Sequence, residues 1–280
     1  MLTTDGVRML GTHDFPAARA LLDADPVTNV FVASRIQAVG FDPRRLGAQL
    51  WGYFGEGPLE AVCYAGPNLI PICATPPAAR AFADRAAGQA RMCSSIVGPE
   101  EAVDVLWRRL REVWSPARDV RTGQPLMVTT TDPSVPGDPE VRRVTLPELD
   151  TLMPAAVQMY TEEVGVSPMG RDGGAGYRGR VLEIIRAGHA FARIDNGEVV
   201  FKAEVGAATP YACQLQGVWV TPRLRGRGLG TAGMATVVAE VLRSVAPVVS
   251  LYVNAHNIAA RRAYERVGFT VAGSFMSVLF

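Results

Sequence analysis

The segment that most constrains this chain is Val218-Trp219-Val220-Thr221-Pro222-Arg223-Leu224-Arg225-Gly226-Arg227-Gly228-Leu229-Gly230. An apolar strand runs into a proline turn, then an arginine- and glycine-rich loop. A helix follows, with Met234, Val237, Val238, Val241, Leu242 and Val245 on one apolar stripe. Such a loop brings backbone N–H groups to a helix N-terminus, where aligned peptide dipoles favour anions. Gly228 and Gly230 carry no Cβ, so a phosphate can approach the main chain closely.

Gly228-Leu229-Gly230-Thr231-Ala232-Gly233 is also a literal G-x-G-x-x-G. A dinucleotide fingerprint opens directly from its strand and is followed, about 20 residues on, by an acidic residue for a ribose. Here Thr221 to Arg227 separate strand from glycines, and the next strand, Ser250-Leu251-Tyr252-Val253, ends at Asn254. The dinucleotide reading loses on both counts. A glycine-rich turn that merely starts a helix is the plainer alternative.

At 280 residues and 48% hydrophobic, the chain can bury a sizeable core as one large domain or two small ones. A net charge of +1 argues against a general nucleic-acid surface. Lys202 is the only lysine. The start lacks the basic and apolar regions of a signal peptide, and no apolar run reaches the length of a membrane span, so a cytoplasmic protein is expected. Cys63, Cys73, Cys93 and Cys213 form no C-x-x-C and read as free thiols. His13, His189 and His256 are isolated, so no metal site is expected.

The sharpest composition shift is Thr131-Asp132-Pro133-Ser134-Val135-Pro136-Gly137-Asp138-Pro139, read as a linker. The halves on either side follow one order: strand, two helices, three strands, helix, strand, helix. In the second half a strand at 141–146 leads to helices starting near Pro147 and Tyr177, joined by the glycine-rich stretch 165–176. Strands at 189–194, 198–205 and 212–220 follow, then the loop helix, a strand at 249–253, a helix at 257–267 and an apolar C-terminal hairpin through Phe280. In the first half the matching turn is Thr75-Pro76-Pro77-Ala78-Ala79-Arg80-Ala81, which keeps threonine and proline but has no glycine. Cβ atoms there are expected to crowd a phosphate away from the backbone. Phe275–Phe280 is apolar on both faces, which implies burial between domains or at a homodimer seam.

Arg-x-x-Gly-x-Gly at 225–230 behind Val-x-Pro resembles the pyrophosphate loop of the GNAT acyl-CoA N-acyltransferases. The run from Asn257 to Phe269 resembles their Asn-x-x-Ala-x-x-x-Tyr-x-x-x-Gly-Phe segment. The whole chain is similar in layout to tandem GNAT proteins, which include mycothiol synthases. It looks closest to actinobacterial acetyltransferases whose N-terminal half has no assigned function. The resemblance implies an α/β (α+β) chain of two GNAT-like domains, each a mixed, strongly twisted sheet flanked by helices. Residues 1–130 would be a degenerate copy, 131–140 a linker and 141–280 the catalytic domain.

The resemblance further implies an acetyl-CoA-dependent N-acetyltransferase whose acceptor amine attacks the thioester directly, in a ternary complex, with no metal. Val218, Trp219 and Val220 would pair with pantetheine. Main-chain groups of Arg225, Gly226, Arg227, Gly228, Leu229, Gly230 and Thr231 would cradle the pyrophosphate, with charge from Arg223, Arg225 and Arg227. Asn257 would contact the pantetheine arm and Tyr264 would protonate the departing sulfur. Read plainly, Asn257 is a helix cap and Tyr264 is core. The fourth strand offers Gln214 and Gln216 where many members carry a glutamate, and neither can accept a proton at neutral pH. Glu204 is the nearest acidic candidate for a base, or else the ion-pair partner of Lys202 on the same strand face. A water relay in place of a side-chain base is also open. Glu162 and Glu163 either attract a cationic amine or end a solvated helix. Two other functions stay open: a non-catalytic acyl-CoA-binding or regulatory module, and aminoacyl transfer from tRNA.

Overall fold

The structure, a computed structural model, describes residues 6–170 and 173–280. Residues 1–5, on which the reading of the start rests, and Arg171 and Asp172 of the 165–176 connection lie outside the described residues. Contacts divide the chain into two compact units. One runs to Met127 and takes in 252–257 and 271–280; the other holds 128–251 and 258–270.

The first half runs β1 (Val7–Met9), α1 (Phe15–Ala24), α2 (Val30–Val39), α3 (Pro43–Leu46), β2 (Gln49–Tyr53), β3 (Ala61–Ala65), β4 (Asn68–Ile72), α4 (Pro76–Ala87), β5 (Ser95–Pro99), α5 (Glu100–Leu110) and β6 (Asp119–Thr129). The second runs β7 (Arg142–Arg143), α6 (Leu149–Val164), α7 (Ala175–Arg186), β8 (Ala190–Asp195), β9 (Glu198–Ala208), β10 (Cys213–Val220), α8 (Leu229–Ser244), β11 (Val249–Tyr252), α9 (Ile258–Val267) and β12 (Thr270–Leu279). Both halves thus carry a mixed α/β layout with strands in the same order.

The first unit's strands lie in the order β1-β2-β3-β4-β5-β12-β6. Its middle strands are buried on both faces by period-two alternation. Leu50, Val62 and Tyr64 pack with Leu22 and Ile36 of α1 and α2. Trp51, Ala61 and Cys63 pack with Phe82 and Leu106 of α4 and α5. The expected C-terminal hairpin is instead the single strand β12, antiparallel to β5 from Phe275↔Pro99 to Leu279↔Ser95. A two-faced strand needs cover on both sides, and β12 finds it: Met276 and Val278 are buried on one face, Phe275 and Ser277 on the other.

The second unit's order is β11-β10-β9-β8-β7. One face carries α6 and α7, with Leu152, Ala156, Ile184 and Trp219 in its core. On the other face Phe201 of β9 meets α8 so closely that a Cβ on Gly233 would lie 2.7 Å from its ring. The proline-rich 131–140 stretch lies on this unit. Asp138 is buried, donates its N–H to Ala232 O and pairs with Arg193 at 3.0 Å. All four cysteines are free, and Cys63, Cys93 and Cys213 are buried. No helix among the described residues is long and apolar enough to cross a membrane.

The entry of the first unit is tied by Asp14, which accepts two hydrogen bonds from Arg8, at 2.8 and 2.7 Å, and one from the Gly11 N–H at 2.8 Å. The Arg8 hydrogen bonds lead in lowering its carboxyl to about 2, against the opposing effect of burial. A depressed carboxylate stabilises the fold above its unfolded pKa and loses that stabilisation as pH falls through the folded value. Asp14→Asn should therefore be less stable than the parent at neutral pH, with the gap closing between about pH 4 and 2. Denaturant melts across that range check this; a gap independent of pH contradicts it.

Candidate active site

The site begins at a strand that parts from its neighbour. β10 pairs with β9 through to Val220, but with β11 only at Cys213↔Val249 and Gln214↔Ser250. Between Gln216 and Trp219 the register with β9 slips by one residue, a β-bulge. Gly217 sits there at φ +61, and a Cβ would lie 2.9 Å from both Glu204 Oε1 and Lys202 Nζ, so only glycine fits. Beyond the bulge Thr221 N donates to Val200 O. By the alternation of an antiparallel ladder, Val220 then turns its own N–H and C=O away from β9, toward the open side.

The loop that follows is a set of donors without acceptors. Leu224 N and Arg225 N are used within the turn, on Thr221 O and Pro222 O. The cradle therefore starts at Gly226 rather than Arg225. From Gly226 through Arg227, Gly228, Leu229 and Gly230 to Thr231, no backbone N–H has a protein acceptor among the described residues. Gly226 (φ +75) and Gly228 (φ +85) adopt conformations that L side chains rarely take, and a Cβ on either would project into open space. Gly228 caps α8 without a side chain, leaving the first-turn donors to whatever lies outside.

The three loop arginines divide. Arg223 pairs with Glu198 at 2.6 Å. Arg225 donates to Val220 O at 2.9 Å and to Glu162 at 2.6 Å. Arg227 is exposed and has no hydrogen-bond or ion-pair partner among the described residues. Glu162 also accepts from Trp219 Nε1 at 3.4 Å and from Gln158 at 3.1 Å. Burial acts to raise its pKa, but Arg225 and Trp219 outweigh it and hold the carboxylate below its usual range. Both Glu162 oxygens are thus committed, and the side chain braces the loop and β10 against α6 instead of awaiting an amine.

Tyr264 lies on α9, 7% exposed, edge-on to Phe269 at 5.9 Å. Burial and then the charge of Glu163 push its phenol well above the ordinary value. Tyr264 and Glu163 therefore share one locale, as the spacing of neither in sequence could show. Asn257 immediately precedes α9 and gives its N–H to Asn254 O, within the 252–257 segment of the first unit.

Glu204 is 6% exposed and fully engaged. Lys202 Nζ stands 3.4 Å from Oε2, and Gln216 Nε2 donates to Oε1 at 3.1 Å. Of the two roles expected for it, the ion pair is the one in view: the carboxylate balances a buried ammonium, which itself donates to Gly217 O at 2.9 Å. Each carboxylate oxygen has one such contact, and the side chain is almost wholly shielded from solvent.

The first unit's matching turn differs in donors, not only in bulk. Thr75 caps α4 with its own hydroxyl on Ala78 N, and Pro76 and Pro77 have no N–H. No orphan donor remains in that first turn.

These features meet a known family. Residues 154–269 match the Acetyltransferase (GNAT) family, and residues 48–152 match a domain of unknown function, DUF4081. Mycothiol acetyltransferase of Mycobacterium leprae, in two strains, is 40% identical over 72 residues. That match covers 24% of this chain and 23% of the relative, so the likeness spans under a quarter of the relative's length. Among solved structures, a GCN5-related N-acetyltransferase from Sphaerobacter thermophilus superposes with a TM-score of 0.58 at 17% identity, covering 97% of this chain and 94% of that one. A tandem GNAT protein from the clavulanic acid biosynthesis pathway gives 0.55 at 13%, covering 97% of each. At such identities the two structures show a shared fold over nearly the whole chain.

Sequence reasoning missed the Glu162 brace in the second unit, because Glu162 and Arg225 stand far apart in the chain and helix-end glutamates are common. Glu162→Ala should loosen the 225–231 loop. Amide exchange there is expected to quicken while global stability changes by less than about 1 kcal/mol, since the pair is partly exposed. Unchanged exchange contradicts the brace.

Proposed function

We propose that the GNAT domain binds acetyl-CoA and transfers its acetyl group to an amine by direct attack within a ternary complex. The observation that carries this is the run of unpartnered N–H groups from Gly226 to Thr231 beside the open edge of β10. The open space over Gly226 and Gly228 is what a pyrophosphate against bare backbone requires, so the residues present fit the group. Acetyl-CoA, when bound, supplies an acyl carbon activated as a thioester.

The chain's residues then divide the work. N–H groups of Gly226, Arg227, Gly228, Leu229, Gly230 and Thr231 hold the pyrophosphate, and the free Arg227 adds a charge-assisted contact. Main-chain groups of Val218, Trp219 and Val220 line the edge along which pantetheine lies. Arg225 Nε leaves Val220 O as the arm enters. Tyr264 hydrogen-bonds the leaving sulfur. A phenol whose proton is held so tightly steadies a thiolate by donation without giving the proton up. Glu163 draws the amine as a cation; with Glu204 held in its pair with Lys202, water takes one proton to free the amine's lone pair and a second from the nitrogen after attack, while the sulfur leaves as thiolate.

The commitment of Glu204 also favours a second reading, acyl-CoA binding without turnover. Free-thiol release from acetyl-CoA with a panel of amines separates the two. Amine-dependent release supports transfer, and binding without release for any amine supports the module. Tyr264→Phe should lower turnover by about 10- to 100-fold at unchanged acetyl-CoA affinity. Unchanged turnover removes Tyr264 from the chemistry.

A further inference from the structure

The chain's one lysine is buried, at 1% exposed, beside the bulge that opens β10. Burying an ion pair costs desolvation that its own attraction recovers only in good geometry, so such a pair is weak evidence for stability alone. Its contacts show what it does fix. Lys202 Nζ donates to Gly217 O at 2.9 Å, Glu204 balances the charge, and Gln216 closes the set on the other carboxylate oxygen. Gln216 in turn lies over Gly206, where a Cβ would come 2.2 Å from its Oε1, so glycine at 206 leaves the room it occupies. Every polar atom in this group belongs to, or faces, the residues at which the register slips.

Gly217, at positive φ, favours one place for the bulge, and the hydrogen bond from Lys202 to its carbonyl holds the strand there. Sliding it by one residue would exchange the groups of Trp219 and Val220, turning Val220 toward β9 and closing the main-chain acceptor now on the open side. An apolar residue at 202 could pack against the sheet equally well in either register. An ammonium needs the Gly217 carbonyl.

We propose that Lys202 is a positioning residue for acyl-CoA: it pins the Gly217 bulge and so sets which main-chain groups of Val218–Val220 face the open edge. This rests on the acyl-CoA reading of that edge. It acts through the backbone and touches no reacting atom.

The test uses the full chain with Lys202→Met and with Lys202→Met/Glu204→Leu, which removes both charges. Three quantities are read: thermal midpoint, amide exchange of the 213–221 peptide, and acetyl-CoA affinity by calorimetry. The single variant strands a buried carboxylate and should lose midpoint, protection and affinity together. The double variant should recover the midpoint yet keep fast exchange at 213–221 and bind acetyl-CoA about tenfold or more weakly. A double variant with parental exchange and affinity overturns the proposal, since the pair then serves only stability. If the single variant does not fold, the double variant carries the test. If the parent itself fails to bind acetyl-CoA, the acyl-CoA reading falls, and the exchange arm still decides whether Lys202 holds the bulge.

Discussion

A strand in the middle of a sheet has its main-chain groups consumed on both sides, so it can offer them to a ligand only where one neighbour leaves. β10 meets this constraint by keeping β9 to the end while β11 departs after Gln214. Everything that makes the second unit a site follows from that parting. The bulge at Gly217 sets the direction of the freed groups, Trp219 and Val220 carry the strand into the loop, and the loop opens α8 without a cap. Glu162 then ties loop, strand and α6 together through Arg225 and Trp219.

The two halves show how little sequence separates a row of bare helix-start donors from a closed helix end. Both turns carry threonine and proline after a strand. In the second half glycines of positive φ leave a row of N–H groups bare. In the first, two prolines delete donors and Thr75 absorbs the next one. Crowding by Cβ atoms was the expected obstacle; removal of the donors is the stronger one, because it holds however the neighbouring side chains move. The first unit thus has the layout without this row of donors.

Much of this was legible because it is local. Periodicity located the long helices, and the loop's glycines announced their conformations. The misses are non-local. β6 escaped because Gly123 at φ +60 and Pro125 interrupt its pattern, although the strand persists across them. The apolar end of the chain read as a hairpin because nothing in it names β5 as partner. Glu204 was left between base and ion pair because period-two alternation puts it beside Lys202 without saying that the carboxylate is buried. Tyr264 and Glu163 lie about a hundred residues apart, and the charge of one reaches the other only once α6 and α9 are folded.

As proposed, one unit of the two holds acyl-CoA, through bare backbone donors at the start of α8. A calorimetric titration of the full chain with acetyl-CoA tests it most directly, read for stoichiometry and repeated with Gly228→Val. One site per chain, lost in the variant while the fold persists, is the predicted result. Two sites per chain, or binding indifferent to residue 228, would contradict it.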